Sequence, residues 1–236
     1  VTGTDVVRVG VLAPMKSELR PVVRAFGLKP AQIDGVSVHT GTVGNAEVVA
    51  TTTGIGTALA TSAAERLLGL GDFDRVMVVG IAGGVGPSVD IGDIVIPEVV
   101  VDGVTGQEYR PASIEGPAAR GSIVTSDDFI VDPGRLQRLI DQGVIAVDME
   151  TGSIAAVCSA RGVAWSAVRA ISDRAEDGDE EMVKLANADG SPNGAAIARY
   201  FARHPGRLPY LLKVGKGSML AAKNAAYTAA RACAQL

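Results

Sequence analysis

The chain has 236 residues, of which 47% are hydrophobic but only 4% aromatic, and a formal net charge of −4. A core so poor in aromatics must be built from Val, Ile, Leu and Ala, the residues of buried parallel strands and close-packed helices, which favours an α/β fold. The charge lacks the basic excess needed to neutralise a phosphate backbone, so nucleic acid is not an expected partner.

Runs rich in β-branched residues predict strands at Val6 to Leu12, Val36 to Val43, Val48 to Thr53, Arg75 to Ala82, Asp93 to Val101, Ser122 to Thr125, Val144 to Met149 and Val163 to Ile171. Apolar spacing of three and four predicts helices between them, at Lys16 to Phe26, Thr57 to Leu70, Pro133 to Gln142 and Thr151 to Arg161. Gly44 and Asn45 tolerate positive φ and join two adjacent strand runs, which predicts an antiparallel hairpin and hence a mixed sheet. The alternation as a whole predicts a single domain over 1–236, a three-layer α/β/α sandwich around that sheet. Beyond Asp173 come an acidic loop from Glu176 to Glu181, a polar stretch from Asp189 to Gly194 and an Ala-rich helical tail from Ser218 to Leu236.

Two glycine clusters follow strand runs. TTTGIGTALA (Thr51 to Ala60) has the outline of a dinucleotide fingerprint. The next strand, however, ends in Gly80, Ile81, Ala82, Gly83 and Gly84 rather than in the acid that would hold a ribose, which argues against NAD. VVGIAGGVG (Val78 to Gly86) is the second; taken alone it is a tight turn, but two glycine-lined strand ends place free N–H groups at the edge where open α/β sheets bind ligands. Two further strand runs end in acids. In VDMETGSIAAVC (Val147 to Cys158), Asp148 and Glu150 could serve only to complement the following helix; in VRAISDRAED (Val168 to Asp177), Asp173 could be an N-cap.

Together with APMKSEL (Ala13 to Leu19) and IVTSDDFI (Ile123 to Ile130), these segments resemble the nucleoside phosphorylase superfamily, most closely its 5′-methylthioadenosine/S-adenosylhomocysteine nucleosidase branch. The likeness runs from Val9 to Asp173, with many motifs in the right order. It implies Glu18 as the water-activating base, Glu150 as the ligand of the ribose hydroxyls and Asp173 as the acid for the purine. It further implies Phe129 stacking on the base and the Ile130 backbone bonding its edge. Met15, Ile55 and Met149 would line the ribose and 5′ side, Ala82, Gly83 and Ser172 would complete the substrate-binding set, and Arg169 would help orient the water. Apart from the resemblance, Phe129 could be a core aromatic, Met149 filler and Arg169 a structural ion-pair partner. The resemblance implies no metal and no cofactor, a small-molecule nucleoside as partner, and a homodimer in which a neighbour's loop closes the 5′ pocket.

Such an enzyme must serve opposite charges, an oxocarbenium-like ribose and a base gaining negative charge. Asp173 can donate to purine N7 only if its pKa is raised, whereas Glu150 helps only when ionised. Phosphorylases of the same fold need cations at the attacking face. Arg20 and Arg24, on the predicted first helix, are the candidates for that role, and an acid at position 18 opposes it. The sequence departs from the branch at Ile81, where a hydroxyl residue is common, at Asp148, where glutamate is commoner, and throughout 192–236. The 5′ substituent is therefore open, with methylthioadenosine, S-adenosylhomocysteine, futalosine-type and other adenosyl compounds as candidates. Cys158 and Cys233 belong to no CxxC pair, the N-terminus shows no signal-like segment, and apolar runs stop short of a membrane span. A cytoplasmic location with no membrane partner is the expectation.

Overall fold

The computed structural model describes residues 6–128, 130, 132–175, 193–204 and 208–236. Strands β1 (Val7–Ala13), β4 (Ala46–Thr52) and β5 (Arg75–Gly84) form a parallel centre, with β1 between the other two. β2 (Lys29–Ile33) and β3 (Val36–Val43) extend it antiparallel beside β4. The predicted hairpin is present: Val43 faces Ala46 across Gly44, whose φ is 58°. Beyond β5 the sheet continues through β10 (Val144–Asp148), β9 (Ser122–Thr125), β7 (Val99–Asp102) and β8 (Glu108–Tyr109). β11 (Ala164–Arg174) also pairs with β5, and β6 (Ile94–Val95) pairs with β11.

The period-2 alternation of the strands builds two apolar layers. From β1, Val9, Val11 and Ala13 face one core, where they meet Leu19, Val22 and Phe26 of α1 (Lys16–Phe26). The same core takes a row of buried alanines from the long C-terminal helix, Leu208–Cys233. Leu12 faces the other core with Ala60, Ala64 and Leu67 of α2 (Thr57–Leu68) and Ile154, Ala155 and Cys158 of α4 (Thr151–Arg161). A third cluster seats α3 (Pro133–Asp141) through Leu136 and Leu139. The three-layer α/β/α sandwich with a mixed sheet is thus the observed fold. Among the described residues two further helices follow, α5 (Gly194–Arg203) and α6 (Leu208–Cys233).

Several local expectations need correction. The run Asp93 to Val101 is two strands, because Pro97 lacks a ladder donor and the chain crosses there from β11, the partner of β6, to β9, the partner of β7. β2 and β8 carry too few β-branched residues to announce themselves. At the end of the polar stretch, the Asn193 side chain accepts from Ala196 N at 3.1 Å and caps α5. The tail helix begins ten residues earlier than Ser218. The acidic loop Glu176 to Glu181 lies outside the described residues.

The branching of the sheet at β5 positions the site. β1 stays in register with β5 only up to Leu12 opposite Val78, and β10 enters antiparallel opposite Gly83 and Gly84. Between them, beside Val79 to Ala82, the edge of β5 is left for the segments that follow β1 and β10.

Candidate active site

A pocket of about 260 Å³ occupies this fork. It is lined by Pro14 and Met15 after β1, Ile55 after β4, Ile81 to Gly83 of β5, Ser126, Asp128 and Ile130 after β9, Val147 to Glu150, and Ser172, Asp173 and Ala175. Glu18, from the first turn of α1, completes the wall. Residues from separate segments thus converge at strand ends, and Glu18, Glu150 and Asp173 share one cavity.

Glu18 is 2% exposed. Its Oε2 accepts from Met15 N at 2.9 Å, the reciprocal half of a capping box, and its Oε1 accepts from Ile81 N at 2.8 Å. Burial pushes the carboxyl up to about 7, against the opposing pull of Arg169 and of the Ile81 and Met15 N–H groups. Ile81, where the family often carries a hydroxyl, thus serves Glu18 through its main chain. Gly80 is required beside it: a Cβ there would run into Glu18 Oε1 and lie 2.5 Å from Arg169 Nη1.

Glu150 occupies the N-cap position of α4 but makes no side-chain cap bond. Its Oε1 instead accepts from Gly56 N at 3.1 Å, across the TGIG turn, and its Oε2 accepts from Arg169 Nη2 at 3.3 Å. Burial raises its pKa, Arg169 opposes that, and the neighbouring charges of Asp148 and Glu18 add to it. Arg169 is fully buried and stands behind these acids rather than at the pocket wall. Its Nη2 pairs with Asp148 Oδ2 at 2.6 Å, and Nη1 donates to Ile81 O at 3.3 Å. The helix-capping alternative holds for Asp148, which accepts from Thr151 N at 3.3 Å. Sequence reasoning missed the rest of its network, Thr125 and Thr151; the available signal was a polar residue closing the buried strand β9.

Asp173 lies within β11, which continues through Arg174, so it is a strand residue at the pocket rather than an N-cap. The β11–β5 register shifts between Ile171 and Asp173, and in this irregularity the Ser172 hydroxyl reaches Asp173 Oδ1 and, at 3.3 Å, the Ala82 carbonyl. Gly217 brings α6 against the same spot; a Cβ there would meet the Ser172 carbonyl and, at 3.1 Å, Ile91. The atypical tail therefore backs the site. Met15, Ile55, Met149, Ala82, Gly83 and Ile130 all line the pocket, and Phe129 lies outside the described residues.

Arg20 and Arg24 point elsewhere. They sit on the exposed side of α1, away from buried Glu18, and with Lys16 line a separate cleft of about 720 Å³ against β2, β3 and β4. Among the described residues the pocket wall carries Glu18, Asp128, Asp148, Glu150 and Asp173 but no Lys or Arg. Such a wall repels a phosphate dianion and suits a cation-like sugar.

The sequence profile of the phosphorylase superfamily matches residues 8–118 and 104–203. The chain belongs to the phosphorylase superfamily. Within that superfamily, the 5′-methylthioadenosine/S-adenosylhomocysteine nucleosidase of Shewanella sp. (strain W3-18-1) is 31% identical over 202 residues, spanning 72% of this chain and 87% of the relative. Among solved structures, the S-adenosylhomocysteine nucleosidase of Streptococcus pyogenes, bound to 5-methylthiotubericidin, superposes with a TM-score of 0.76 at 19% identity, covering 99% of both chains. The futalosine hydrolase of Helicobacter pylori does so with a TM-score of 0.73 at 20% identity, covering 98% of this chain and 99% of that one. These superpositions establish the superfamily fold. No helix among the described residues is long and apolar enough to cross a membrane.

Proposed function

We propose that the protein is an N-ribosyl hydrolase that cleaves the purine from a 5′-substituted adenosine, of the methylthioadenosine/S-adenosylhomocysteine type. The observation that carries this reading is the pocket wall, which joins Glu18, Glu150 and Asp173 and carries no cation among the described residues. The relatives' names supply the substrate class.

In this reading both Glu18 oxygens are fixed by backbone N–H groups, leaving their remaining lone pairs for a water molecule. With a pKa near 7, Glu18 can take a proton from that water as its oxygen attacks C1′. The C1′–N9 bond breaks, its electron pair enters the purine, and Asp173 delivers a proton to N7. Glu150, anchored by Gly56 N and Arg169, accepts from the ribose hydroxyls when ionised, and those donors oppose the rise that burial imposes on its carboxyl. Met15, Ile55 and Met149 give the ribose and 5′ group an apolar wall.

Asp173 can donate to N7 and accept from an exocyclic amine, whereas a 6-oxopurine presents an acceptor there. Steady-state assays on matched 6-amino and 6-oxo nucleosides, with methylthio, homocysteinyl and futalosine-type 5′ groups, are expected to favour the 6-amino series. A clear preference for the 6-oxo series would reverse the assignment and favour the futalosine reading, which the similar fold of that hydrolase keeps as the second candidate. We also propose a homodimer. Val104 is 85% exposed on the β7–β8 turn, and Leu59 is exposed on α2. Both segments are tied to the 125–127 stretch at the pocket mouth, through Gly103 N to Thr125 O and Thr57 to Asp127. Light scattering at micromolar concentration should report twice the chain mass; a monomer would refute this part alone.

A further inference from the structure

Three carboxyl groups, Glu18, Asp148 and Glu150, surround the buried guanidinium of Arg169. Hydrogen-bond direction identifies which of them carries its countercharge. Arg169 can only donate, so Thr151 Oγ1 must accept from Nε at 3.0 Å and from Nη2 at 2.9 Å, and the one hydroxyl proton of Thr151 is then directed to Asp148 Oδ2. Gly152 N likewise can only donate, at 2.8 Å, to Thr125 Oγ1, whose proton goes to Asp148 Oδ1 at 2.6 Å. With Thr151 N and Arg169 Nη2 added, Asp148 accepts from four donors and offers none, which is the pattern of a carboxylate without a proton. Its lone pairs are saturated, so it has nothing left for a substrate.

We propose that Asp148 is a positioning residue: it holds Arg169 at closer range than Glu150 does and so leaves the two pocket glutamates, Glu18 and Glu150, with only part of that countercharge. The distances agree, with Arg169 Nη2 at 2.6 Å from Asp148 and 3.3 Å from Glu150. The charged groups facing this cluster are Glu18 from α1, Glu150 ahead of α4, Arg169 from β11, and Asp173 and Asp128 across the pocket. Asp148 also raises the pKa of both glutamates as a like charge, after burial has done so more strongly. The consequence is functional: burial lifts both carboxyls towards neutrality, and the tighter Asp148–Arg169 pair keeps the arginine from cancelling that lift.

The pH–rate readout rests on the hydrolase reading, whereas an NMR readout does not, so the two can fail separately. In Asp148→Asn, Arg169 turns to the glutamates and the like charge is gone. The acid limb of kcat/KM is expected to move to lower pH by about one unit, the scale of a neighbouring charge. Asp148→Glu should bring the limb back towards its original position. A lower rate with an unmoved limb in Asp148→Asn would make the residue merely structural and overturn the proposal. Labelling with 13Cδ-glutamate reads the same effect without turnover, in Asp148→Asn or, if that variant does not fold, in Asp148→Ser: the Glu18 signal, identified by its loss in Glu18→Gln, should titrate near 7 in the unaltered protein and about one unit lower in the variant. An unmoved titration would overturn the proposal.

Discussion

Asp173→Asn is expected to lower kcat by about 100- to 10,000-fold, the usual contribution of a general acid, while KM changes far less. The substitution keeps the side chain's shape and its carbonyl acceptor at the Ser172 hydroxyl, so the pocket wall should survive. What is lost is the ionisable proton for N7, which matters only as the base departs with the bonding electrons. Substrate binding, which the proposed mechanism assigns to Glu150 and the apolar wall, should persist. The check is steady-state kinetics on the best adenosyl substrate of the panel, with a thermal melt to confirm folding. A near-normal kcat would show that another group protonates the base.

The second large effect belongs to Glu18→Gln, for which a loss of about 100- to 10,000-fold in kcat is expected from removal of the general base. Here the pH dependence is as diagnostic as the size. In the proposed mechanism water activation requires ionised Glu18, so its titration near 7 should contribute to the acid limb of kcat/KM in the unaltered protein, and the variant should lose that component while the rise set by Glu150 remains. Stability runs the other way. The folded carboxyl titrates near 7 against an ordinary value of 4.5, so the folded state binds more protons between those values and stability falls as pH rises through 7. The shift corresponds to roughly 3 kcal/mol lost above pH 7. The amide in the variant does not titrate and has no such dependence, so urea unfolding should show the variant gaining on the unaltered protein between about pH 5 and about pH 8. A constant offset of about 1–3 kcal/mol remains, because an amide can accept from only one of the two N–H groups of Met15 and Ile81 that Glu18 now accepts from. Parallel pH profiles for the two proteins would remove Glu18 from the proton inventory.

Much of this arrangement is legible in the sequence. The helix Lys16 to Phe26 is readable because its apolar residues recur at three and four and Gly27 ends it in a left-handed cap. The acids Glu150 and Asp173 are readable because they stand just beyond or near the end of buried apolar strands; helix capping would explain such acids equally well, and it is the run of motifs in order that singles them out. What a sequence does not display is partnership across the sheet. Asp148 reads as a helix cap from its neighbours, and its stronger role appears only when β9, β10 and β11 bring Thr125, Thr151 and Arg169 around it. Arg20 and Arg24 sit close to Glu18 in sequence, yet the buried and exposed sides of α1 send them to different cavities. The break at Pro97 is visible as a residue but not as a switch of sheet edge, since that depends on where β11 and β9 lie.

If this acidic pocket takes the purine from the sugar with water rather than phosphate, the new oxygen on the sugar must come from solvent. Single-turnover cleavage of the preferred nucleoside in ¹⁸O-labelled water, with and without inorganic phosphate, reads this directly by mass spectrometry of the sugar. Hydrolysis predicts one ¹⁸O at C1 of the released 5′-substituted ribose, at a rate indifferent to phosphate. A phosphate-dependent reaction yielding the sugar 1-phosphate without label would contradict it.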